Sequence, residues 1–380
     1  MKLKIFIFIV TSIMLVQASM PTDWYYGRKM NFVDAQSVGL AGINLFKPSV
    51  YLNSPLGKEL TKPQLGFSYN LGFLQERRTV QVFDNFDNTV GEFAIAENLF
   101  TRGDIGNVTF LLPFKFLNVS ASLKPYYTFD YYFYREFRDD FYAKVGEEEL
   151  KVTGTVYNAS AMVGREFLNK YGIGAGFNYY FGSREFSYHD SIINGTHISA
   201  ETTGSPKGVG FTVGLTANPI ERLLINLIYQ SGPKLNKWAN DISMKYPANC
   251  RLEASYLASG EIPTKVGVSF QYSDWKVFQN NYAKPLEIGL GIEHTMYNTV
   301  VMRYGFRFEP SFVPPTVHQG LVSLGFGFMA GNIKIDLGMG IKRRIIGSEN
   351  LIFSNDNTLK VYQNTGEILI GATVPIEKLW

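Results

Sequence analysis

Eight charged side chains toward the end of the chain carry most of the chemistry that the sequence offers. Glu287 and Glu293 lie in one run, Arg303, Arg307 and Glu309 in the next, and Lys334, Asp336 and Lys342 in a third. Within each run they share a parity, so a strand would turn them all to one face. Opposite charges on neighbouring strands can brace a wall and hold a segment against it. A guanidinium such as that of Arg303 or Arg307 can also grip a ligand carboxylate through two parallel hydrogen bonds. Bracing is the simpler reading, and ligand contact by Arg303 and Arg307 is the functional alternative.

Other chemistry is hard to place. His189, His197, His294 and His318 are scattered, and no His-Glu-x-x-His or Cys/His spacing suggests a metal. No Gly-x-Ser-x-Gly elbow or phosphate-binding loop occurs, so neither an enzyme nor a bound cofactor is expected. Cys250 is the only cysteine, which excludes an intrachain disulfide. The formal charge is +3, and a leader carrying Lys2 and Lys4 would take two of those positive charges with it. That leaves no basic field for nucleic acid.

The elements that position these charges are strands. In 300–344, Met302, Tyr304, Phe306 and Phe308 alternate with Arg303, Gly305, Arg307 and Glu309. Ile333, Ile335, Leu337, Met339 and Ile341 alternate with Lys334, Asp336, Gly338, Gly340 and Lys342. One face is apolar and aromatic, the other Gly-rich and charged. The same contrast runs through the composition, with 23 Tyr, 30 Phe and 36 Gly against only 18% charged residues. Beyond the first 20 or so residues, no apolar run approaches the roughly 20 residues that a spanning helix needs.

The start, MKLKIFIFIVTSIMLVQAS, has a basic tip, an apolar stretch from Ile5 to Val16 and small residues ending at Ala18. It reads as a secretory signal, 1–18, cut after Ala18. Residues 19–62 show little strand periodicity. Residues 63–380 hold fourteen strand-like runs, at about 63–83, 104–113, 117–138, 149–167, 171–188, 208–218, 222–233, 264–272, 275–283, 286–294, 299–309, 318–330, 332–345 and 366–376.

Long and short connections alternate between these runs, apart from 283–285, which is short where a long one is due. An up-and-down meander would put the long ones at one end and the short ones at the other. That sorting is the pattern of an outer-membrane barrel. In lipid only helices and closed barrels satisfy every backbone group, so the apolar face points outward and the charged face lines the lumen. The expected fold is all-β: a transmembrane, antiparallel, up-and-down β-barrel of about 14 strands with an N-terminal plug (hatch) segment at 19–62. The loop at 234–263, with Trp238 and Leu252, is unusually apolar and is a candidate for capturing substrate outside. The amphipathic last run, ending in Trp380, resembles the signal read by the barrel-assembly machinery.

Several stretches resemble the FadL family of outer-membrane hydrophobic-compound transporters. They are IPTKVGVSFQYSDW (262–275), LEIGLGIEH (286–294) and VMRYGFRFEPSFVPP (301–315). FVDAQSVGLAGINLF (32–46) resembles the start of that family's hatch. LNSPLGKEL (52–60) is similar to its Asn-Pro-Ala-Gly-Leu element, departing from it by an extra residue between Asn53 and Pro55 and by Leu56 before Gly57. The resemblance implies fourteen strands, a hatch that includes Asn53, Pro55 and Gly57, and passive entry of long-chain fatty acids or other hydrophobic molecules. Its partners would be those molecules, outer-membrane lipid and the assembly machinery. The related PorV-like barrels of type IX secretion share much of the pattern, so a secretion-complex component or docking protein is the alternative.

Overall fold

The computed structural model describes residues 26–30, 34–45, 62–168, 170–192, 197–277, 282–297, 299–312, 317–346 and 359–376. A two-residue strand, β1 (Arg28–Lys29), and one turn of helix, α1 (Ala35–Gly39), come first. The strands then follow as β2 (Gln64–Phe83), β3 (Thr89–Pro113), β4 (Asn118–Thr128), β5 (Tyr131–Arg138), β6 (Lys144–Phe167), β7 (Tyr171–Ile192), β8 (Ile198–Gly204), β9 (Lys207–Ile220) and β10 (Leu223–Gln230). After these come β11 (Lys234–Ala239), β12 (Ile242–Lys245), β13 (Asn249–Ala258), β14 (Thr264–Ser273), β15 (Leu286–Met296), β16 (Val300–Pro310), β17 (His318–Ala330), β18 (Ile333–Ile346) and β19 (Leu359–Pro375).

The wall is a closed antiparallel barrel of fourteen strands. The β4/β5 and β8/β9 pairs each act as one broken strand, and the small hairpin β11–β12 stands apart from the wall sequence. β19 pairs with β2 along its whole length, so the sheet has no end. Closure removes the exposed edges that an open sheet would offer to other chains.

Residues 89–103, 198–204 and 359–365, expected in connections, are strand in β3, β8 and β19, and two runs change the order of the wall. Residues 249–258, expected within a loop, form β13 between β10 and β14. Residues 275–283, expected as a strand, begin with a 3-10 turn at Trp275–Val277. The two differences cancel in the strand count. They also remove the exception at 283–285, because 274–285 is now one long connection. The ends of β2, β5, β7, β10, β14, β16 and β18 lie at one end of the barrel, where the long connections leave, and those of β3, β6, β9, β13, β15 and β17 at the other.

Outside, Leu65, Phe67, Tyr69 and Leu71 of β2 are exposed, as are Val322, Leu324, Phe326 and Phe328 of β17. On β2 this apolar face runs from Leu65 to Phe73, about 26 Å along the strand at the usual rise per residue. At the roughly 40° tilt of membrane barrels that is about 20 Å of height, most of the roughly 25 Å band. Such an exterior is at rest only in hydrocarbon. Inside, Ser68, Asn70, Arg303, Arg307, Asp336 and Glu367 are all buried. The Gly-rich, charged face assigned to the lumen by alternation is the inward one.

Candidate functional site

The lumen charges form ion pairs between strands of the wall. Arg303 donates from Nε to Glu293 and from Nη1 to Asp336, each at 2.8 Å. Arg307 donates from Nη1 to Glu287 at 3.0 Å and from Nε to the Ala41 carbonyl at 2.7 Å. Lys342 reaches Glu309 at 2.8 Å. Both arginines are essentially inaccessible, and Nη2 of each has no hydrogen-bond partner among the described residues. Glu287 and Glu293 are on the strand next to Arg307 and Arg303, whereas Asp336 and Lys342 reach their β16 partners across β17, whose Gly327 leaves room between Arg303 and Asp336.

The Ala41 contact shows what else the charged face holds. Residues 34–45 lie inside the barrel against β14–β19. α1 is closed by a capping box between Asp34 and Ser37. Gln36 donates to Glu293 and accepts from Lys334, Ser323 Oγ accepts from the Ala41 N–H, and Arg251 binds the Gly42 carbonyl. The inward glycines explain how backbone can approach backbone here. A Cβ on Gly338 would stand 2.0 Å from the Ala35 carbonyl oxygen, and one on Gly305 2.4 Å from the Ala41 nitrogen. Leu40, Ile43 and Leu45 form a small apolar cluster on the same wall. Asn53, Pro55 and Gly57, expected in the hatch, lie outside the described residues.

Toward the long-loop end the lumen becomes aromatic. Tyr26, Tyr127, Phe129, Trp238, Tyr246 and Trp275 belong to one buried cluster. Trp238 meets Phe129 and Tyr246 edge-on with ring centres 5.1 and 5.6 Å apart, while Trp275 stacks on Phe312 at 3.6 Å. Tyr246 donates to the Tyr26 carbonyl, and the Tyr26 and Tyr282 hydroxyls share a hydrogen bond. The loop that carries Trp275 is tied by Lys284 and Asp274, 2.7 Å apart. This hydrogen-bonded pairing holds the Asp274 carboxyl below its usual range and the Lys284 ammonium above its own. Beside the cluster is a cavity of about 110 Å³, lined by Trp275, Phe312, Tyr127 and Val317 together with Lys29 and Glu287.

Trp238 therefore faces into the lumen on hairpin β11–β12. Leu252 is mid-strand in β13, between Leu227 and Phe270, and is 43% exposed on the outer face. The structure does not bring these two loop candidates together. The rest of the aromatic cluster was not anticipated. Its signal was the run YYTFDYYFY at 126–134, where neighbouring aromatics of both parities turn inward.

That run marks a break in the wall. β3 pairs with β4 only over Val108–Pro113, and no ladder joins the rest of β3 to residues 124–133. A register shift between Pro125 and Tyr127 and the interruption at 129–130 direct Phe129 and Asp130 inward. Opposite them Gly154 has φ +131°, and a Cβ there would meet the Ser183 carbonyl oxygen at 2.2 Å. Only glycine adopts that backbone without strain. β1 takes the vacated edge of β4, pairing Arg28 with Thr128 and Lys29 with Tyr127. Arg102 of β3 spans the gap, binding Asp130, Thr155 and, at 3.0 Å, the Gly154 carbonyl.

No family model and no curated protein sequence matches the chain. Solved structures do. A Pseudomonas aeruginosa FadL homologue superposes with a TM-score of 0.66 at 12% identity, over 92% of this chain and 99% of its own. The Pseudomonas putida toluene transporter TodX gives 0.61 at 12% identity, over 91% and 98%. The Ralstonia pickettii toluene transporter TbuX gives 0.59 at 13%, over 91% and 99%. With fourteen wall strands and near-complete coverage of both partners, this chain has the fold of the FadL-like barrels.

Proposed function

We propose that the protein is a bacterial outer-membrane channel, exported by a cleaved leader at 1–18, that passively admits hydrophobic compounds. The aromatic chamber carries this reading. A general porin keeps a polar, water-filled lumen, whereas here Phe129, Trp238, Tyr246 and Trp275 pack the mouth with aromatic rings. The small cavity beside them has Tyr127, Trp275, Phe312 and Val317 on its apolar side and Arg28, Lys29, Glu287 and Lys342 on its charged side, and apolar walls with placed polar groups suit small, largely apolar ligands.

Entry runs from the long-loop end into the chamber. Below it residues 34–45 occupy the lumen and act as the hatch, so a compound leaves only when they shift or when the wall opens. The break between β3 and β4 offers the second route, and both routes involve one N-terminal segment, since β1 covers the break and α1 lies in the lumen. Arg303 and Arg307 brace wall and hatch in this scheme, and their buried, unshared Nη2 atoms become donors for a ligand carboxylate only once residues 34–45 shift. Long-chain fatty acids and monoaromatic hydrocarbons are the two substrate classes to compare. An occupied lumen supports transport over a secretion-docking role, for which an empty lumen and a co-purifying partner protein would be expected.

Uptake of a labelled long-chain fatty acid and of toluene, in a host lacking its own transporter, tests the proposal. Trp238→Ala should reduce uptake several-fold with normal barrel assembly, whereas Leu252→Ala should leave it unchanged. Absence of uptake of both compounds by a correctly assembled wild-type barrel would sink the transport reading.

A further inference from the structure

The outer face of the barrel changes character along one line. On the four strands β17, β18, β19 and β2, the last row without a polar side chain at the long-loop end is Val322, Ile341, Gly366 and Phe73. The next outward positions are Arg343, Asn364 and Gln75, followed by Ile345, Tyr362 and Arg77. Two guanidiniums therefore stand on the outside of the wall, one and two rows beyond the hydrocarbon belt.

Both are exposed, and neither forms a hydrogen bond or ion pair among the described residues. The carboxylates nearest to them are engaged elsewhere. Glu92 accepts from Lys360 at 2.8 Å, Tyr362 at 2.8 Å and Thr79 at 3.0 Å. Glu97 accepts from Gln75 at 3.0 Å. Between these groups lies a surface cavity of about 310 Å³, lined by Arg77, Arg343, Gln75, Asn364, Tyr362 and the two carboxylates. It is polar and unlike the chamber inside.

We infer that this cavity binds the phosphate headgroup of an anionic lipid in the leaflet at the long-loop end. Arginine forks fit phosphate oxygens through paired hydrogen bonds, and Gln75 and Asn364 each keep a second amide N–H beyond the one given to Glu97 and to Gln75. The height is right for a lipid: its acyl chains would lie along the apolar rows below, over Phe73, Ile341 and Ile368. Basic side chains just beyond a hydrocarbon belt recognise anionic headgroups. The inference rests on the outer-membrane orientation proposed above, which makes phosphorylated lipid A the occupant; it does not rest on transport.

The purified barrel, in detergent free of bound lipid, is titrated with lipid A, with dephosphorylated lipid A and with inorganic phosphate. Binding is read by native mass spectrometry and by the rise in unfolding temperature. Wild-type protein should bind lipid A, and R77Q/R343Q should bind it about tenfold or more weakly, in line with the contribution of each basic residue at a membrane surface. Because both side chains are exposed, the variant should assemble normally. Arg77→Lys with Arg343→Lys should recover part of the affinity in low salt and lose it as ionic strength rises. Equal binding of dephosphorylated lipid, or unchanged binding by the glutamine variant, would overturn the site. Competition by millimolar inorganic phosphate would replace it with a free-phosphate site. Uptake measured on the same variants separates the two readings, since failure of the lipid site leaves uptake intact and failure of transport leaves lipid binding intact.

Discussion

Arg303 has no water to fall back on. Its guanidinium joins Glu293 and Asp336 from strands on either side, and all three are buried. Removing one member of such a set leaves charges stranded without solvation, which costs more than the intact set contributes. Arg303→Met should destabilise the barrel by about 3–5 kcal/mol, read as a lower urea midpoint for unfolding. Combining it with Glu293→Gln and Asp336→Asn should restore most of the loss. Alternation in the sequence was enough to place Arg303, Arg307 and Asp336 on one face. It was not enough to reveal the Ala41 carbonyl as a partner of Arg307, because that contact joins residues 266 positions apart. Trp238 and Leu252 teach the complementary lesson. Both are large and apolar within one stretch of sequence, yet one fills the lumen and the other faces lipid. Pro247 and the short hairpin before it hid the start of β13.

At the scale of elements, the N-terminal segment and the strands it touches share one design. Inward glycines on β14–β19 leave bare backbone against which residues 34–45 lie. Gly338→Val should push α1 off β18, since the first added carbon already falls on the Ala35 carbonyl. The expected result is faster entry of small polar antibiotics and protease cleavage within 34–45, with the barrel itself still assembled. Gly320→Ala serves as the control, because its Cβ would meet only the Phe306 ring, at 3.5 Å on the outer face. The sequence showed the Gly-rich face, and resemblance supplied the idea of a hatch. The close backbone approach that makes those glycines necessary depends on where the segment lies, which periodicity does not encode. The broken third wall strand was hidden for a similar reason. A period of two assumes an unbroken ladder, and at 125–130 the ladder shifts register and then stops.

For the molecule as a whole, alternation and connection length together settled the architecture. The strand count agreed although one run was misplaced and another missed, because the closed barrel needs an even number and the two errors offset each other. The outward apolar face is the feature most open to a direct test. Phe306 is 45% exposed between Leu290 and Val322. A charge at Phe306, as in Phe306→Arg, should cost about 2–4 kcal/mol near the bilayer midplane, measured as weaker folding into lipid vesicles. In detergent micelles, where the side chain can reach water, the penalty should shrink.

The seam between β19 and β2 has a consequence for how such a chain is built. Residues 34–45 enclose nothing by themselves; α1 rests on β16, β17, β18 and β19, which are among the last parts to be synthesised. This early piece of the chain thus waits for the last to give it a surface. When β19 zips onto β2, it closes the wall and traps that piece inside in the same event. Filling the lumen and sealing the cylinder are then a single step of assembly, and an empty, finished barrel need never exist along the way.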